Sequence, residues 1–199
     1  DVYKRQLIAV LATSMKVGAS VCASSGFNAL KFLDLARLEK ITWYSGVPTM
    51  HQAILLRANK NKEAAKNLNL RLIRSSSASL PPAVFKDLND AFNCPVIEAY
   101  GMTEATHQMT SNPLPPKQQK AGFVGLPAGP EVCIMSENGD MMKQGEEGEV
   151  CIKGENVTLG YENNEEANKT SFTNGWFRTG DQGYFCLLYT SDAADECHS

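Results

Sequence analysis

The residues best equipped for chemistry stand together at positions 98–107, Glu98-Ala99-Tyr100-Gly101-Met102-Thr103-Glu104-Ala105-Thr106-His107, after the apolar run Cys94-Pro95-Val96-Ile97. A short strand ending in a glycine-bearing turn is how an open α/β sheet presents a ligand at its carboxyl edge. Tyr100 offers a flat face to a base, and Gly101 lets the backbone come close. Thr103 can donate to a phosphate oxygen, and Glu104 can hold Mg²⁺ directly or through water. The same residues also describe an ordinary helix start, with Thr103 as the cap and Glu104 in solvent. His107, three residues beyond Glu104, falls near the same face if a helix has begun.

The elements that must position this turn can be read outward from it. Arg71-Leu72-Ile73-Arg74 predicts a strand that delivers the turn Ser75-Ser76-Ser77-Ala78-Ser79, and Pro81-Pro82 open a helix running through Leu88 to Phe92. Upstream, Ile41-Thr42-Trp43-Tyr44-Ser45 predicts a strand, and Gly46-Val47-Pro48 turns it into a helix beginning near Thr49. His51 lies on that helix and reads as a partly buried, hydrogen-bonded residue. Leu30, Leu33, Leu35 and Leu38 recur at near-helical spacing, residues 7–14 suit the end of a helix, Gly18–Ala23 reads as a strand, and Asn59–Asn69 as a helix end and loop. Alternation of strand and helix over 18–107 predicts a mainly parallel sheet with flanking helices.

After the turn the composition changes. Pro113, Pro115 and Pro116 with Lys117–Lys120 form a polar connector, and from Gly122 short strands alternate with turns. Gly148–Gly154 alternates apolar and polar residues, and Asn138-Gly139-Asp140 is a hairpin signal. The expected organisation is an α/β part at 7–116 followed by a smaller β-rich, barrel-like part at 117–185.

Composition restricts the function classes. With 43% apolar residues and a net charge of −3, the 199-residue chain suits a soluble core and gives no reason to expect nucleic acid or a membrane as partner. No apolar run reaches transmembrane length, and 7–13 does not suit a signal peptide. Cys22, Cys94, Cys133 and Cys151 are scattered without a C-x-x-C pair and read as reduced core residues. The ends differ in kind. Asp1–Gln6 and Cys186–Ser191 can be encoded by one DNA string and its reverse complement, resembling a translated sequencing adapter, so 1–6 and 186–199 are set aside as artefacts.

Tyr100-Gly101-Met102-Thr103-Glu104 is similar to the adenine- and phosphate-binding motif of the adenylate-forming (AMP-binding) superfamily. Ser75–Leu80 upstream and Trp176-Phe177-Arg178-Thr179-Gly180-Asp181 downstream fall in that superfamily's order, as do Gly46-Val47-Pro48-Thr49 and Gly154–Tyr161. The resemblance implies part of the superfamily's large domain. It implies that Ser77, Ala78 and Ser79 lie against one adenine face while Tyr100 covers the other, with Glu98, Ala99, Gly101, Met102 and Thr103 completing the nucleotide-binding turn. Asp181 would accept hydrogen bonds from both ribose hydroxyls, which suits a group that only accepts. Thr103 and Glu104 would serve attack of a carboxylate on the α-phosphate of ATP, Glu104 through Mg²⁺, before the acyl group passes to coenzyme A.

Within the superfamily, Thr103–Pro115, Gly154–Tyr161 and Phe177–Phe185 look like the oxalate–CoA ligase branch. Ser76 and Ser77 stand where many members carry glycines, which shortens the acyl pocket and makes it polar. With His107 they would cradle a second carboxylate. Two other readings stay open: a ligase for another short or aromatic acid, and a nucleotide-binding module without chemistry. The resemblance lacks the upstream phosphate loop, the hinge and the lysine-bearing C-terminal domain, so this chain alone is expected to be inactive. Reduced cysteines and the relatives imply an intracellular enzyme, cytoplasmic or peroxisomal.

Overall fold

A computed structural model describes residues 5–186 of the chain. The foreign-looking ends therefore lie almost wholly outside the described residues. The chain forms two compact units. Of the described residues, the first takes those up to Gly101 together with Thr110–Gly125, and the second takes Met102–Met109 together with those from Leu126 onward.

The first unit is α/β. Strands β1 (Trp43–Gly46), β2 (Leu72–Ser76) and β3 (Val96–Tyr100) run parallel, and β4 (Thr110–Ser111) lies antiparallel to β3. Register sets Gly46 beside Ser75, and Ser75 and Ser76 beside Glu98 and Ala99, so all three parallel strands end on one edge. A π-helical segment, Arg5–Ala12, leads into α1 (Thr13–Lys16), and α2 (Phe32–Leu38) follows. Helices α3 (Pro48–Ala58) and α5 (Pro82–Phe92) both carry proline in the first turn, where the missing N–H costs nothing. Asn93, at φ 49°, ends α5 in the left-handed conformation. Ile54, Ile73, Leu80, Leu88, Phe92 and Val96 form a fully buried core between sheet and helices.

The second unit contains β5 (Leu126–Pro127), β6 (Glu131–Met135), β7 (Gly148–Lys153), helix α6 (Glu165–Ser171), β8 (Phe172–Thr173) and β9 (Trp176–Gly183). Four of these strands make a curled antiparallel sheet in the order β6-β7-β9-β8. Period-2 alternation gives it two faces. Cys133, Met135 and Cys151 pack with Trp176, while Phe172 and Tyr161 set their rings 5.3 and 6.4 Å from Phe177. The Asn138-Gly139 signal becomes a tight turn closed by Gly139 N donating to Ser136 O at 3.1 Å and Ser136 N to Asp140 O at 2.9 Å.

Three expectations need correction. Gly18–Ala23 is exposed coil, without a strand ladder among the described residues; apolar character does not make a strand where no neighbour completes its hydrogen bonds. Within Asn59–Asn69 a short helix, α4 (Lys62–Lys66), forms because Asn61 Oδ1 caps Ala64 N at 3.2 Å. Strand β3 runs on through Tyr100, so Glu98 and Ala99 belong to the strand and not to the turn. Cys94, Cys133 and Cys151 are buried thiols outside any disulfide, and Cys22 is an exposed one. Burial pushes Cys94 and Cys151 up to about 11. No described helix is long and apolar enough to cross a membrane.

Candidate functional site

In the first unit the candidate residues gather at the carboxyl edge of the parallel sheet. Ser75 and Ser76 are buried at the end of β2, whereas Ser77, Ala78 and Ser79 are exposed beyond it. Ser77 holds φ 72°, a left-handed backbone that glycine adopts freely and serine does not. Buried Arg74 donates from Nη1 to Ser76 Oγ at 2.9 Å and to Ser45 Oγ at 3.3 Å, so the surroundings of Ser76 carry positive charge. Ser75 Oγ has no hydrogen-bond partner among the described residues.

Glu98 is buried on β3, and both of its carboxylate oxygens face main-chain amides. Gly122 N donates to Oε1 at 2.7 Å and Leu80 N to Oε2 at 3.3 Å. Burial raises its pKa against the pull of these two amides. The carboxylate thus ties the end of the Ser77–Ser79 turn to Gly122. Tyr100 ends β3 half-buried, next to Gly101. On α3, His51 is fully buried, with Tyr44 Oη 3.2 Å from its Nδ1. A Cβ on Gly46 would come within 2.8 Å of the His51 ring, which is why the strand ends in glycine there.

In the second unit, Met102–Met109 makes a tight loop. Thr103–Ala105 is a single 3-10 turn, and it stops because Thr106 and His107 take φ 50° and 87°. The helix on which the Glu104–His107 spacing depended does not form; His107 N instead closes the loop on Met102 O at 3.0 Å, leaving His107 buried. Two consecutive left-handed residues are costly and need outside support. Gly154–Tyr161 supplies it. Asn156 Nδ2 donates to Ala105 O at 2.8 Å, Thr106 Oγ1 to Asn156 O at 2.8 Å, and Thr158 N to Glu104 O at 2.6 Å. Tyr161 Oη donates to Glu104 Oε1 at 3.0 Å, leaving Oε2 as the oxygen that a cation could take. Burial, then this bond, raises the Tyr161 pKa. Among the described residues no three His, Cys, Asp or Glu gather as a metal cage; Glu104 could supply one carboxylate oxygen to a cation that takes oxygen ligands.

Asp181 is exposed on β9, in the same unit as Thr103 and Glu104. Arg178, three residues earlier, pairs with Glu149 on β7 through Nε at 2.8 Å and through Nη2.

A model of the AMP-binding enzyme family matches residues 6–162. The chain belongs to that family. It is 50% identical over 182 residues to an oxalate–CoA ligase of Arabidopsis thaliana, covering 90% of this chain and 35% of the relative. It is 47% identical over 181 residues to an oxalate–CoA ligase of Saccharomyces cerevisiae, covering 90% and 33%. A solved o-succinylbenzoate coenzyme A synthetase of Bacillus subtilis, in complex with ATP and magnesium ion, matches with TM-score 0.77 at 30% identity, over 91% of this chain and 37% of that one. The chain therefore spans about a third of the length of the curated relatives it matches.

For this AMP-binding chain, sequence reasoning gave no individual role to the residues that hold the named ones in place. Thr158 and Tyr161 fix Glu104, while Asn156 holds its neighbours Ala105 and Thr106 and Glu149 holds Gly180 beside Asp181. The signal for three of them was the family motif Gly154–Tyr161, which contains Asn156, Thr158 and Tyr161, and Glu149 lay in the alternating run Gly148–Gly154.

Proposed function

We propose that this chain is part of an ATP-dependent acyl-CoA synthetase acting on oxalate. What carries the reading is the identity of 50% and 47% to two oxalate–CoA ligases over nine-tenths of the chain. Oxalate is a small dianion, and Arg74 on Ser76 Oγ gives the serine edge the positive charge and the hydroxyl that such an acid requires. A pocket for an acid with an apolar tail would have no use for that charge.

In this reading Ser77–Ser79 and Tyr100 hold adenine, with Gly101 and Met102 as the close backbone between them. Glu98 and Ala99 act from within the strand, Glu98 by anchoring Leu80 and Gly122. Asp181 takes the ribose hydroxyls. Thr103 donates to the phosphates while one oxalate oxygen attacks the α-phosphorus and pyrophosphate leaves. Mg²⁺ on Glu104 Oε2 would neutralise charge on the phosphates. Coenzyme A thiolate then attacks the oxalyl carbonyl and expels AMP. Ser76, Ser77 and His107 bind the distal carboxylate. ATP and coenzyme A as cosubstrates put the reaction inside the cell, in the cytoplasm or a peroxisome.

The test is a full-length ligase in which residues 7–185 replace the matching segment of the plant relative. Pyrophosphate release should be fastest with oxalate, and His107→Ala should raise the oxalate KM roughly tenfold, the cost of one charged hydrogen bond, while the ATP KM stays near its original value. A preference for a longer or aromatic acid would sink the oxalate reading, and an unchanged oxalate KM would remove His107 from the pocket.

A further inference from the structure

Strands β7 and β9 do not pair evenly. Glu149 faces Gln182, and the next recorded pair is Cys151 with Arg178, an advance of two positions on β7 against four on β9. Thr179, Gly180 and Asp181 therefore stand opposite Val150 alone, extruded from the ladder as an enlarged bulge. A bulge leaves main-chain groups without ladder partners and re-aims the side chains it carries.

Side chains take up the freed groups here. Gly180 N donates to Glu149 Oε1 at 2.8 Å, and Asp181 N donates to Thr179 Oγ1 at 3.1 Å. Thr179 Oγ1 in turn donates to Val150 O at 2.8 Å, pinning the bulge to the opposite strand. Glu149 Oε2 is held by Arg178, the residue just before the bulge. The Glu149 and Arg178 side chains are 14% and 16% exposed, so the pair is shielded while Asp181 beyond it is exposed. Gly180 holds φ 78°, which lets the chain make the turn.

We infer that Glu149 is a positioning residue for ribose recognition: with Thr179 it fixes the bulge that presents the Asp181 carboxylate to a vicinal diol. This rests on the reading of Asp181 as the ribose ligand. A diol is matched only by a carboxylate held in one orientation, and a three-residue bulge without its carboxylate anchor would sample several.

The experiment compares ATP with 2′,3′-dideoxy-ATP in the full-length ligase carrying residues 7–185, and follows Gly180 amide exchange in the 199-residue chain. Glu149→Asp is the variant of choice because it keeps a carboxylate beside Arg178 while losing the reach to Gly180 N. It should weaken the ATP KM roughly tenfold, leave the dideoxy KM and kcat close to the parent, and speed Gly180 exchange by about the same factor, as expected for one charge-assisted hydrogen bond. Thr179→Val, which leaves the ion pair untouched, should shift the preference in the same direction. Asp181→Ala should abolish the preference for the intact ribose. If Asp181→Ala keeps that preference, Asp181 does not bind ribose and the inference falls with it. If Asp181→Ala loses the preference while Glu149→Asp retains it with Gly180 protected as before, the ribose reading stands and the positioning role is overturned.

Discussion

The two units solve one problem by different means. Each must hold polar residues at a loop, and each uses a shielded carboxylate that accepts from main-chain N–H groups, two of them at Glu98 and one at Glu149. In the α/β unit, parallel strands bring the ends of β1, β2 and β3 to one edge by topology, so Glu98 needs only to fasten Leu80 N and Gly122 N at that edge. In the antiparallel unit successive strands end on opposite edges, and nothing in the topology gathers loops. There the residue to be displayed is pushed out of a strand as a bulge, and Glu149 secures it with Arg178 as counter-ion. Where topology supplies the placement, one neutralising set of amides suffices; where it does not, the sequence must also supply a cation.

That contrast can be broken most forcefully on the ion-paired side. Glu149→Ala leaves Arg178 shielded without its carboxylate, and unfolding of the second unit should become easier by about 3–5 kcal/mol. The chain has two tryptophans, Trp43 on β1 and Trp176 on β9, so Trp43→Phe and Trp176→Phe backgrounds report each unit separately by fluorescence during urea unfolding. A loss under about 1 kcal/mol from the Trp176 signal would mean that the pair contributes no more than a surface ion pair.

On the other side Glu98→Ala should cost about 1–3 kcal/mol, the penalty for a buried donor left unsatisfied, offset by release from burying a charge. The pH dependence sharpens the distinction. Burial raises the Glu98 pKa in the folded chain above its unfolded value, so its ionisation disfavours folding. The stability difference between the parent and Glu98→Gln should be largest in the parent's favour below the unfolded pKa and decline as pH rises through the folded one. A difference that instead grew with pH over that window would show that the two amides outweigh burial.

The smallest effect is expected at Ser77. Ser77→Gly relieves a left-handed serine and should stabilise the chain by roughly 1 kcal/mol in a thermal melt, less the entropy that glycine adds to the unfolded state. A destabilised variant would show that the Ser77 hydroxyl contributes more than its backbone strain removes.

Much of the fold was legible because it is written in local chemistry. A β-branched and aromatic run marked β1, short runs around Leu72-Ile73 and Val96-Ile97 marked β2 and β3, alternation marked β7, paired prolines marked α5, and Asn138-Gly139 marked its turn. The family motifs picked out Tyr100, Thr103, Glu104 and Asp181 as candidates. What escaped the reading depends on partners distant in sequence. Thr106 and His107 leave the helical conformation in company with Asn156, some fifty residues on, and no local preference announces that. Glu98 looked like part of the turn because it adjoins the motif, yet it is fixed by amides 18 and 24 residues away. Gly18–Ala23 failed as a strand because composition reports what could pair and not whether a partner is present.

The path of the backbone limits how this protein can be taken apart. The chain passes from one unit to the other after Gly101, returns after Met109 and leaves again after Gly125. No single scission leaves both units whole: a break after Gly101 separates β3 from its neighbour β4, and a break before Leu126 strips the second unit of Met102–Met109. Recombination between relatives would face the same restriction, so a graft intended to move one unit must carry the crossover segment 102–125 as well, or repair both halves at once.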